Sequence, residues 1–112
     1  MMTFTERLAE RVLGGMRPAC VGFDPRLDAL PETLAFGASP AERIVAFARA
    51  VLPAIARTVP TFKPNIAFFE CHGAAGFGAY ETVCRLAREA GLLVVGDVKR
   101  GDIGSTARAY AE

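Results

Sequence analysis

Two carboxylates bracket one ammonium in Asp97-Val98-Lys99-Arg100-Gly101-Asp102, directly after the apolar run Leu92-Leu93-Val94-Val95-Gly96. Charges at the end of an apolar strand are costly unless they are paired or used for chemistry. Desolvation alone neutralises a lysine, whereas adjacent carboxylates keep it charged and ready to donate a proton. The apolar run shows no polar alternation, so it predicts a strand buried on both faces. On such a strand Asp97 and Lys99 would point the same way. Asp102 would lie beyond it, on a loop or at the start of the next helix.

Other elements deliver charge in the same manner. Ala19-Cys20-Val21-Gly22-Phe23 predicts a first strand, and Asp24-Pro25-Arg26 leaves its end. Thr61-Phe62-Lys63 predicts a second strand that Pro64-Asn65 closes or bends. Helices are expected between them. Thr3-Phe4-Thr5-Glu6 is a capping-box pattern for a short helix ending near Gly14-Gly15. Ser39-Pro40-Ala41-Glu42 supplies a cap, a first-turn proline and a reciprocating glutamate. Ile44, Phe47, Ala48, Val51, Leu52 and Ile55 follow at helical spacing, with a kink or early end expected at Pro53. Ile66 to Glu70 reads as an apolar loop or short helix. Gly73, Gly76 and Gly78 are expected to break the chain before a helix from about Tyr80 to Ala90, capped by Gly91. Ser105 to Glu112 reads as an unfinished helix. Strands alternating with helices imply parallel βαβ units, whose sites form at the carboxyl ends of the strands. Asp24, Lys63, Asp97 and Lys99 would therefore meet at one rim.

Composition excludes several classes. The chain has 112 residues, 52% hydrophobic, with a net charge of +1. That suits a buried core rather than disorder and gives no basic footprint for nucleic acid. No apolar run is long enough to span a membrane. Glu6, Arg7, Glu10 and Arg11 near the start do not fit an ordinary signal peptide. Cys20, Cys71 and Cys84 have no metal-type spacing, and three is an odd number for a disulfide framework. They are read as reduced, which predicts a cytoplasmic protein. His72 reads as an ordinary loop residue, Gly73 to Gly78 as loop punctuation, Phe68 and Phe69 as packing, and Cys84 as a small buried residue.

In order along the chain, Val21-Gly22-Phe23-Asp24-Pro25-Arg26, Phe62-Lys63-Pro64-Asn65-Ile66-Ala67-Phe68-Phe69-Glu70 and Asp97-Val98-Lys99-Arg100-Gly101-Asp102-Ile103-Gly104-Ser105-Thr106 resemble the strand-end motifs of the orotidine 5'-phosphate decarboxylase family, in the form of its longer bacterial branch. The resemblance covers nearly the whole chain. It implies a (β/α)8 TIM barrel and a homodimer with sites at the subunit boundary. Such a barrel needs about 250 residues, so residues 1–112 are expected to be a single partial domain, the N-terminal part holding about the first three βα units. The family's later phosphate-gripping loop and its arginine have no counterpart here, which bears on the activity of the 112 residues alone. The family releases CO2 from C6 of orotidine 5'-monophosphate to give UMP, without metal or organic cofactor. The resemblance makes Lys99 the proton donor to C6 and places Asp97 near the substrate carboxylate, holding Lys99. It gives Lys63 a bridge between Asp97 and a ribose hydroxyl, and Asp24 a ribose hydrogen bond. Lys63, Asp97, Lys99 and Asp102 would form a charge-alternating catalytic network, and Asp102, with Ile103 and Thr106, would reach the neighbouring subunit's site. The alternatives are a magnesium-dependent hexulose phosphate synthase-like aldolase, which shares Asp-x-Lys-x-x-Asp, and a non-catalytic fragment.

Overall fold

The computed structural model describes residues 1–112. Three parallel strands pair in the order β1-β2-β3: β1 is Cys20–Phe23, β2 is Thr61–Pro64 and β3 is Leu93–Val94. Cys20 lies beside Thr61, and Thr61 beside Leu93, so the three strands start in step. An isolated bridge between Asn65 and Asp97 extends the β2–β3 pairing past the end of both strands.

Helix α1 (Phe4–Leu13) carries the full capping box: Thr3 accepts from the Glu6 N–H, and Glu6 reaches back to the Thr3 N–H. Ser39 and Glu42 repeat the device at α2 (Pro40–Thr58). Helix α2 does not end at Pro53 but runs five residues further. Pro53 lies on the exposed side of the helix, where water can satisfy the carbonyl that lost its donor. The neighbouring Leu52 is buried and holds the helix to the core.

Helix α4 (Gly73–Glu89) starts seven residues earlier than the glycine spacing suggests. Gly73 has a φ of +66°, which turns the chain out of the short helix α3 (Ala67–Glu70). Gly76 is buried on α4 because a methyl there would sit 1.8 Å from the Phe69 carbonyl oxygen. Gly73 therefore breaks the chain between α3 and α4 as expected, whereas Gly76 serves a close approach within α4. Gly91 (φ +93°) follows the Ala90 cap and returns the chain to the sheet.

Ile44, Ala48 and Leu52 of α2 and Ala79, Val83 and Ala87 of α4 recur every four residues, and all join one buried cluster with Phe23, Phe62 and Phe69. The spacing puts each set on one helix face. Helices α2 and α4 pack together over a single face of the sheet. On the other face Cys20, Gly22, Lys63 and Val95 are exposed. Thr61 and Leu93 on that same face are nevertheless buried and Val94 packs toward the helices, so the third strand is covered on both faces, and it is two residues long rather than five. The result is a slab of 43 × 40 × 19 Å with a radius of gyration of 15.3 Å, against about 13 Å for a closed domain of this length. It is an open parallel sheet with helices outside, the arrangement of consecutive βα units of a barrel.

Candidate active site

The carboxyl ends of the three strands hold the predicted charges. β2 fixes two of them directly. Lys63 occupies β2 and points away from the helix layer that buries Phe62. Asp97 is clamped between the strand end and the turn after it: its N–H donates to the Pro64 carbonyl at 3.2 Å, and its own carbonyl accepts from Ile66 at 3.1 Å. The Asp97 side chain is only 21% exposed, while that of Lys99 is 77% exposed, and the two form an ion pair. The Lys99 hydrogen bond holds the Asp97 carboxyl below its ordinary range, burial opposes that shift, and the charges of Lys99 and Lys63 add to it. Lys63, Asp97 and Lys99 thus form one alternating cluster.

Lys99 does not lie on a strand. Its φ of +47° is left-handed, so the side chains of Asp97 and Lys99 meet across a bend rather than along a pleat. The same bend carries Lys99 into solvent, where it pairs with Asp97.

Asp102 is not part of this cluster. Its carboxylate accepts the Ile103 N–H at 2.7 Å, ahead of α5 (Gly104–Ala111). Asp102, Ile103 and Thr106 are all exposed, and α5 buries none of its residues. Asp24 is exposed one residue past β1. The turn there is closed by the backbone, Arg26 N–H to the Asp24 carbonyl at 2.9 Å, so the Asp24 side chain is not spent as a cap. Phe23, beside it, accepts the Asn65 N–H at 3.1 Å, which joins the ends of β1 and β2 into one rim.

Two residues of the rim were given no role from the sequence. Glu70, at the end of α3, pairs with Arg100 of the Lys99 loop. Both lie inside the quoted motifs, but nothing in the sequence connects partners 30 residues apart. Asn65 also works locally: its side chain accepts the Ala67 N–H at 3.2 Å and starts α3. Phe69, fully buried, packs edge-on to Tyr80 at 5.2 Å and 6.2 Å from Phe23, and so anchors α3. No three or more His, Cys, Asp or Glu side chains are grouped to hold a metal ion.

A cleft of about 490 Å³ lies elsewhere, lined by Tyr80, Cys84, Arg88, Leu93 and Gly96 among others. It follows the unpaired edge of β3 and includes none of the charged cluster. This is where a further βα unit would pack in a barrel. Burial there pushes the Tyr80 phenol up to about 12 and also raises the Cys84 thiol.

Comparison with known proteins places the chain among relatives of one family. The orotidine 5'-phosphate decarboxylase / HUMPS family model matches residues 18–112. The chain is 42% identical to an orotidine 5'-phosphate decarboxylase of Rhodopirellula baltica over 100% of its own length, and 46% identical to that of Streptomyces coelicolor, also over 100%. It spans 39% of the length of each. The structure superposes on Leishmania donovani OMP decarboxylase with a TM-score of 0.78 at 39% identity, covering 98% of this chain and 38% of that one. Strand order, motif order and sequence identity converge, and the chain belongs to the orotidine 5'-phosphate decarboxylase / HUMPS family, with the fold of three βα units of its (β/α)8 barrel.

Proposed function

We propose that this chain supplies the proton-donating half of an orotidine 5'-monophosphate decarboxylase site, as a single partial domain forming the N-terminal part of the barrel. The observation that carries the reading is the Lys63, Asp97 and Lys99 cluster at the strand ends, with Asp97 paired to Lys99. In the proposed reaction the C6–carboxylate bond breaks and CO2 leaves. The electron pair stays on C6 and takes a proton from the Lys99 ammonium, giving UMP. The neutral amine is then reprotonated by water. Asp97 pairs with Lys99 and fixes its position. The Lys99 charge also opposes the negative charge growing at C6, an interaction stronger in the transition state than in the substrate. Lys63 and Asp24 stand where a ribose would be gripped. The exposed Asp102, Ile103 and Thr106 would complete the site of a second subunit in a cytoplasmic homodimer. The reaction needs no metal or organic cofactor, and the partners are the nucleotide and a second copy rather than nucleic acid or membrane.

The test is a chimera in which this chain replaces the matching segment of the Streptomyces coelicolor relative, assayed for conversion of orotidine 5'-monophosphate. The chimera is expected to decarboxylate it. Lys99→Ala should lower kcat by at least about 1,000-fold, since proton donation and charge stabilisation are lost together. Near-normal turnover by that variant would sink the role of Lys99.

A further inference from the structure

We propose that Glu70 and Arg100 form a positioning brace that sets the backbone of Lys99, an inference that rests on the decarboxylase reading above. Arg100 follows Lys99 directly and grips two things at once. One guanidinium nitrogen donates to the Val98 carbonyl at 2.8 Å, and another pairs with the Glu70 carboxylate. The residues before and after Lys99 are thereby tied to α3. Among hydrogen bonds and ion pairs, this is the single link from residues 98–102 to another element of the fold.

The anchor at the other end is firm. Glu70 follows Phe69, which is fully buried, on a helix started by Asn65. The pair is also more sheltered than the others. Its side chains are 33% and 27% exposed, against 61% and 70% for Arg26–Asp28 and 54% and 58% for Arg85–Glu89. Exposed pairs are screened and contribute little, and shelter strengthens the attraction.

The strain lies where the brace acts. A left-handed lysine costs about 1–2 kcal/mol and persists only when its surroundings impose it. The ion pair of Lys99 with Asp97 cannot do this alone, because it joins two side chains of the same bend and leaves Lys99 largely in solvent. A forked guanidinium holding two acceptors can, and a lysine at position 100 could not copy it.

The test has two readouts. In the 112-residue chain, NMR coupling constants and carbon shifts of Lys99 should report the left-handed backbone. They should move toward ordinary values in Glu70→Gln and Arg100→Lys, while slow amide exchange at Phe62 and Val83 persists. In the chimera both variants should lose about 10- to 100-fold in kcat, the scale set by misplacing a reacting group, with KM within about three-fold. The reversed pair, Glu70→Arg with Arg100→Glu, should not recover that loss, because a carboxylate at position 100 cannot donate to the Val98 carbonyl. A merely structural ion pair would instead lower the unfolding midpoint and leave kcat and the Lys99 signals unchanged, which would overturn the proposal. A rise in KM alone would overturn it too. An inactive parent chimera would count against the decarboxylase reading, and the Lys99 signals would still decide whether the brace exists.

Discussion

Replacing Gly76 by alanine should unsettle the rim from a position outside it. Gly76 lies on the first turns of α4, where a Cβ would stand 1.8 Å from the Phe69 carbonyl oxygen and 2.8 Å from its carbon. Both are backbone atoms, so no side chain can rotate away. Either α4 or α3 must retreat by more than an ångström, and α3 carries Phe69 and Glu70. Overpacking of this kind costs about 1–3 kcal/mol, and more where backbone must move. The gain in helix propensity of alanine over glycine offsets about 1 kcal/mol of it. We expect a net loss of up to about 2 kcal/mol, and with a urea m-value of about 1 kcal/mol/M the midpoint should fall by up to about 2 M. Gly78 is the internal control, because nothing lies within 4 Å of a Cβ there. Gly78→Ala should instead stabilise by about 0.5–1 kcal/mol. Urea titrations followed by circular dichroism compare the two. Equal effects of the same sign would refute the argument, since both glycines are helical and differ in their surroundings alone.

Two further outcomes concern pH. The Asp97 carboxyl is depressed in the folded chain by its Lys99 hydrogen bond, so its contribution is present above the ordinary carboxylate range and is lost as pH falls through the folded value. Asp97→Asn should therefore unfold with a shallower pH dependence below about pH 4, and an unchanged acid slope in urea titrations would contradict the pairing. Tyr80 behaves with the opposite sign: burial raises its phenol to about 12, so the folded state retains a proton that the unfolded chain gives up, and stability falls as pH rises above about 10. Phenolate absorbance should show one transition at about 12 that Tyr80→Phe removes, and a titration complete near pH 10 would show that the phenol is not buried.

The sequence by itself determined the local structure and the chemistry of the rim. Both capping boxes, the apolar stripe on α2 and the alternation of strands and helices depend on near neighbours and on apolar period, which the residues carry directly. The motif order around Asp24, Lys63 and Asp97-x-Lys99 pointed to the family before any contact was known. Other features were decided only by tertiary structure. Pro53 interrupts nothing because its side of α2 is wet and the neighbouring Leu52 is not. Gly76 is a contact and not a break because Phe69 happens to lie against it. Lys99 left the strand, and Glu70 found Arg100, a pairing that depends on which groups the fold brings together across 30 residues. Residue types fix which charges can pair, and spatial proximity between distant segments decides which of them do.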